Sequence, residues 1–127
     1  MAWTFEQLTG NFIDPTGSLQ GKGYSGQPPH RNNPDSQTIP NQGPIPQGLW
    51  QAVELIPEST NHGPFVIRLE PYSQTVTFGR SGFLIHGDSI PHPGYASEGC
   101  VIMSRDVREL FWNSPDHDLE VISGVVQ

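Results

Sequence analysis

A chain of 127 residues is long enough for one domain with a single core, and a formal charge of -7, with one lysine, five arginines and no basic run, leaves nothing to neutralise a phosphate backbone. Fourteen glycines and thirteen prolines make it loop-rich, but about a fifth of the chain falls short of the roughly 25–30% that marks disorder. A lone cysteine excludes an internal disulfide, and no apolar run approaches the roughly 18 residues of a membrane span.

The opening, Met-Ala-Trp-Thr-Phe-Glu, has neither the basic nor the apolar part of a secretory signal, so synthesis in the cytoplasm is expected. From Trp3 to Gln7 apolar and polar residues alternate, as in a half-buried strand. Thr9-Gly10 turns the chain and Asn11–Ile13 returns as its partner. Asp14 to Gly17 is a second turn, with Pro15 presetting φ, and Ser18–Tyr24 reads as a third strand. Ser25 to Asn41 is polar and rich in Pro, Asn and Gly, a long loop.

Gly43 to Gly48 is stiffened by Pro44 and Pro46. Leu49–Leu55 follows as a strand, with Leu49, Val53 and Leu55 expected on its core face. Pro57 to Pro64 reads as a turn-rich link. Phe65–Glu70 is the clearest strand, with Phe65, Ile67 and Leu69 inward and Arg68 and Glu70 outward. Gln74–Phe78 is a candidate short strand. A helix is expected from Ser104 to about Asn113, with Ser104 at the N-cap, Asp106 in the first turn, and Val107, Leu110 and Phe111 at helical spacing. Leu119–Val126 closes the chain as a strand. The expectation is a single, mainly β domain over residues 1–127 with one short helix.

The chemistry concentrates between Phe83 and Met103. This stretch holds the only cysteine, Cys100, and two histidines, His86 and His92. Apolar strand-like residues flank it on both sides. If Phe83 and Ile85 face the core, His86 faces away from it at a strand end. Gly87 lets the chain bend, and its carbonyl can hold the imidazole Nδ1–H, leaving Nε2 to take a thiol proton. Gly99 directly precedes Cys100 and suits a tight turn whose N–H groups form an oxyanion hole. The bland alternative is a small buried Cys beside Val-Ile-Met and a His satisfied where it stands. His86, His92, Asp88 and Cys100 match no defensible zinc spacing, so neither a metal nor a cofactor is expected.

His86-Gly87 followed by Ser97-Glu98-Gly99-Cys100 resembles the L,D-transpeptidase signature, a His-Gly, a gap, then Ser/Thr-His-Gly-Cys. Trp3 to Glu6, Asp14 to Gly17, Asn32 to Pro34, Gly43 to Pro46 and His86 to Asp88 occur in the order found in one branch of that family, the small L,D-transpeptidase-like toxins of bacterial type VI secretion. The resemblance covers nearly the whole chain. It departs in two places. Glu98 replaces the signature's second histidine, and Val101-Ile102-Met103 lacks the usual Arg or Asn after the cysteine, unless Arg105 serves.

The resemblance implies an L,D-transpeptidase-like β-sandwich or barrel. It implies attack by Cys100 on the third residue of peptidoglycan tetrapeptide stems, with His86 as base, the Gly87 carbonyl orienting it, and N–H groups of Gly99 and Cys100 holding the oxyanion. Water as acceptor gives carboxypeptidase activity; an amine gives transpeptidation or exchange. Ser97 and Asp88 are candidate supporting residues. Arg105 and Tyr95 are candidates for substrate binding, with Arg31 and Arg80 also able to hold a carboxylate. An antibacterial effector acting in a target cell's periplasm, with a cognate immunity protein as partner, follows by analogy. Two other classes stay open. A papain-like cysteine peptidase normally places its cysteine before its histidine, the reverse of the order here. A binding module with a degenerate site would show slow alkylation of Cys100.

Overall fold

The computed structural model describes residues 1–124. Nine strands and one helix follow in chain order. They are β1 (Trp3–Glu6), β2 (Asn11–Ile13), β3 (Leu19–Lys22), β4 (Tyr24–Ser25), β5 (Gly48–Ser59), β6 (Gly63–Pro71), β7 (Leu84–His86), β8 (Val101–Ile102), α1 (Arg105–Trp112) and β9 (Asp118–Ile122). A short 3-10 turn spans Pro34–Ser36 in the long polar loop. The protein is mainly β with one short helix, as expected. Among the described residues, no helix is long and apolar enough to cross a membrane.

All nine strands join one mixed sheet in the order β3-β2-β1-β9-β5-β6-β7-β8-β4. The two ends of that order, β3 and β4, are consecutive in the chain and separated only by Gly23. The sheet therefore curls until its ends meet at one residue. The close approach is sterically demanding: a Cβ on Gly23 would lie 1.7 Å from the Ile102 carbonyl oxygen, so only glycine fits. The expected meander is present as β1-β2-β3, but its third strand splits at this glycine.

The core is one cluster that includes Trp3, Phe5 and Phe12 from the meander, Trp50, Ile67, Leu69, Ile85 and Val101 from the central strands, Val107 and Phe111 from α1, and Leu119 and Val121 from β9. Phe111 packs edge-on against Trp3 and Phe12, at centroid distances of 5.3 and 5.5 Å. Buried side chains of this size contribute on the order of 2 kcal/mol each. The helix thus seals the curled sheet with one face.

Several local expectations need correction. The core face of β5 carries Trp50 and Ala52, while Val53 is exposed. A bulge between Ala52 and Glu54 shifts the strand's phase, so that Leu55 turns back to pack on the core. β5 also runs on through Pro57 to Ser59. Beyond Gln51 it has no pairing with β9, so one edge is free and a residue without an N–H is tolerated there. Phe65 is only partly buried, at φ +55°, with Arg105 stacked on its ring. Residues 74–78 form no strand; Thr75 Oγ1 donates to the Leu49 carbonyl at 2.7 Å and accepts its N–H at 3.0 Å, doing with one side chain what a ladder would do. On α1, Leu110 is exposed and Arg108 is buried. Ser104 has extended N-cap backbone, but its side chain makes no capping bond. β9 ends at Ile122, and the part of the expected strand past Gly124 lies outside the described residues.

Candidate active site

The topology explains why His86 and Cys100 line one cleft. β7 and β8 pair in parallel, with Ile85 opposite Val101 and His86 opposite Ile102. Parallel neighbours need a crossover of about a dozen residues or more. Here the crossover is residues 87–100, a loop without regular structure, running from just after His86 to Cys100. Ile85 and Val101 enter the core cluster, so the alternate positions face the other side. On that side Cys100 stands two positions before His86's partner Ile102. His86 and Cys100 line the same cleft, of about 500 Å³, together with His62, Arg80, Tyr95 and Glu98. A cleft of this size takes a ligand as large as a short peptide.

His86 Nδ1 lies 2.8 Å from the Gly87 carbonyl oxygen. A carbonyl only accepts, so Nδ1 carries the proton and Nε2 of the neutral ring is an acceptor. That Nε2 is buried and has no hydrogen-bond partner among the described residues. Burial, reinforced by the charges of His62 and Arg108, lowers the imidazole pKa to about 4 despite the Gly87 carbonyl. The thiol moves the opposite way. Burial pushes Cys100 up to about 11, with the backbone N–H of Leu84 and the charge of Arg80 acting against the shift and Glu98 adding to it. The Cys100 thiol donates to the Gly82 carbonyl at 3.9 Å. At neutral pH the resting pair is thus a neutral thiol and a neutral imidazole.

The loop holding the sulfur is fixed by hydroxyls. Ser97 Oγ donates to the Cys100 carbonyl at 2.5 Å and accepts the N–H groups of Gly99 at 3.0 Å and Gly26 at 2.9 Å. Ser25 Oγ donates to the Gly99 carbonyl at 2.9 Å and accepts the Ile45 N–H at 2.8 Å. The Gly99 N–H, expected to serve the oxyanion, is bonded within the loop to Ser97 Oγ. Gly99 is needed for space instead. It sits at φ +142°, where a Cβ would lie 2.5 Å from Arg80 Nη2 and 3.1 Å from Phe83. Ser97 is the loop's internal knot.

Asp88 is tied to the loop and makes no hydrogen bond to His86. Its carboxylate accepts the Tyr24 hydroxyl at 2.6 Å and the N–H groups of Ser89 at 2.8 Å and Gly94 at 3.1 Å. The Tyr24 hydroxyl also accepts the Ala96 N–H at 3.0 Å, so Tyr24 and Asp88 together pin the crossover to β4. Tyr95 lines the cleft and is largely exposed. Arg105 lies elsewhere: it bridges Glu109 at 2.7 Å and stacks on Phe65. Arg31 stacks on Tyr24 and donates to the Gly94 carbonyl at 3.2 Å. His92 lines a neighbouring cavity that shares His62, His86, Tyr95 and Ala96 with the cleft. Among the described residues, no three His, Cys, Asp or Glu side chains converge as a metal site needs.

Three residues at the site went unread in the sequence. His62, in what reads as a turn-rich link, sits at the tip of the β5–β6 hairpin and packs on His86. Nothing local marks it, because only strand pairing brings it there. Arg108 donates to the Pro64 and Phe65 carbonyls at 3.3 Å and lies 3.2 Å from where a Gly87 Cβ would be. It bonds the start of β6 and packs closely against Gly87. Its spacing from Phe111 places it on the buried helix face, a signal available beforehand. Ser25 looked like ordinary loop polarity.

Comparison with known proteins gives one match. The family model of the Tlde1 domain matches residues 20–123, from within β3 to just past β9. No curated protein and no solved structure matches the chain.

Proposed function

Because this chain belongs to the family of the Tlde1 domain, a domain of secreted type VI effector toxins, we propose that it is a cysteine acyl-transfer enzyme acting on peptidoglycan tetrapeptide stems. The observation that carries the reading is the shared cleft. One imidazole with an unpartnered acceptor nitrogen, at the end of β7, and one thiol, just before the parallel neighbour β8, line it together.

The chemistry runs in two halves. Cys100 Sγ attacks the carbonyl of the third stem residue as His86 Nε2 takes the thiol proton. The tetrahedral intermediate collapses to a thioester, and the departing D-alanine amine takes the proton back from His86. Water or an amine then attacks the thioester, with His86 again accepting the proton; the C–S bond breaks, and His86 returns that proton to the departing Cys100 sulfur. Burial lowers the imidazole pKa and raises that of the thiol, which favours His86 acting as a general base during attack over a standing ion pair. General-base assistance of this kind is worth roughly 10²–10⁴-fold. With Gly99's N–H committed to Ser97, the Cys100 N–H is the remaining backbone candidate for the oxyanion.

Action in the periplasm of a target bacterium and neutralisation by an immunity protein belong to the same proposal. Mass spectrometry of purified peptidoglycan fragments after incubation with the protein tests it. Loss of the terminal D-alanine, or its exchange for a supplied D-amino acid, supports the reading. Cleavage inside the stem points to a cysteine peptidase instead, and unaltered fragments contradict both.

A further inference from the structure

Arg80 is a buried cation without a counter-ion. Its relative exposure is 8%, and none of the ion pairs among the described residues includes it. Its guanidinium is spent on backbone carbonyls. Nη1 donates to Gln37 at 2.5 Å and Pro44 at 2.8 Å, and Nη2 donates to Gly43 at 2.9 Å and Glu98 at 3.4 Å. The Phe83 ring lies 5.1 Å beneath it. Its Nε–H is buried with no partner among the described residues.

Carbonyl dipoles satisfy hydrogen-bonding capacity, but they do not cancel a whole charge. A buried, uncompensated cation is costly and persists where something repays it. Here the cation faces the nucleophile's loop. It bonds the carbonyl of Glu98, two residues before Cys100, and leaves no room for a side chain on Gly99. It also lines the cleft that Cys100 lines. Cys100 is the group whose negative charge would favour the protonated guanidinium, against the effect of burial.

We propose that Arg80 is the positioning residue of the nucleophile: it ties the Glu98–Cys100 turn to the Gly43-Pro44 segment and sets a positive charge where negative charge develops on the sulfur. This assignment rests on reading Cys100 as the nucleophile, but it can be tested without turnover. The charge role separates from the clamp role in two variants. Arg80→Lys keeps the charge and loses the planar fork. Arg80→Gln keeps hydrogen-bond donors and loses the charge.

The experiment is the rate of Cys100 alkylation by iodoacetamide at about pH 9, read by intact mass, with circular dichroism confirming the fold. Removing a unit charge near a thiol raises its pKa by about one to two units. After allowing for the higher nucleophilicity of the more basic thiolate, Arg80→Gln is expected to react roughly three- to tenfold more slowly. Arg80→Lys keeps the charge and is expected within about twofold of the parent protein in alkylation rate, while the loss of the planar fork shows separately as a lower melting temperature. Equal slowing in the two variants, or no slowing in folded Arg80→Gln, overturns the proposal. If Arg80→Gln does not fold, Arg80→Lys decides alone: slowing of about threefold or more in the folded variant overturns it. A series that behaves as expected in a protein releasing no D-alanine keeps Arg80's role and removes the peptidoglycan reading.

Discussion

His62 lies across His86, with ring centroids 4.5 Å apart and planes tilted by 36°. The two imidazoles come from different elements, the tip of the β5–β6 hairpin and the end of β7. His62 covers the ring of His86 and opposes its protonation.

Replacing His62 by Ala removes both effects. His86 becomes more exposed and loses a cationic neighbour, so its pKa moves up from about 4 toward 6.5. The acid limb of the pH–rate profile should move up with it, and NMR titration of the His86 Cε1–H should show the same shift. An unmoved titration would mean that the contact has no electrostatic consequence.

Stability should carry the imprint of the same histidine. Its folded pKa lies below its unfolded value of 6.5, so the unfolded chain binds the extra proton first on acidification. The stability associated with His86 is complete above about pH 6.5 and falls as pH drops toward 4, by on the order of 3 kcal/mol in all. Cys100 acts at the other end. Its folded pKa is raised, so stability is complete below about pH 9 and falls as pH rises toward 11. Denaturant melts across these ranges should give a plateau between them, and His86→Gln should flatten the acid side.

Alkylation of the unmodified protein should be slow at neutral pH. A thiol held near 11 has about a hundredfold less thiolate than an ordinary cysteine, and the greater nucleophilicity of that thiolate returns about tenfold, so reaction roughly tenfold slower than a free thiol is expected. Slow reaction therefore no longer separates a working enzyme from a degenerate site, as the sequence alone suggested. Competition between iodoacetamide and a model thiol measures the ratio. Reaction faster than the model thiol would mean a standing thiolate–imidazolium pair.

Ser97→Ala removes three hydrogen bonds from a residue that is 1% exposed. It leaves buried N–H groups unpaired, at a cost of roughly 1–3 kcal/mol. The expected result is a lower melting temperature and a fall in kcat larger than any change in KM, because the sulfur's loop loosens while the cleft remains. Ser97→Thr keeps the hydroxyl and should recover part of kcat.

The sequence was most legible where chemistry and local geometry coincide. His86 at a strand end, the Gly87 carbonyl as its orienter and Cys100 after a glycine all depend on neighbours within a few residues. Strand alternation was less reliable. The bulge at Ala52–Glu54 shifted the phase of β5, and a turn assignment hid the extension of β5 past Pro57. Long-range placement was not readable. His62 reaches His86 only through hairpin pairing, and Arg80 reaches Gln37 only because the long polar loop folds back. Arg105, plausible by its nearness in sequence to Cys100, is drawn away by Glu109 and Phe65.

The most direct test of Cys100 as nucleophile is D-alanine release from a purified tetrapeptide stem, measured side by side for the parent protein, Cys100→Ala and His86→Gln, each shown to be folded by circular dichroism. Release by the parent, none by Cys100→Ala and a rate at least about a hundredfold lower for His86→Gln is the predicted result. Release by Cys100→Ala at the parent rate would contradict it.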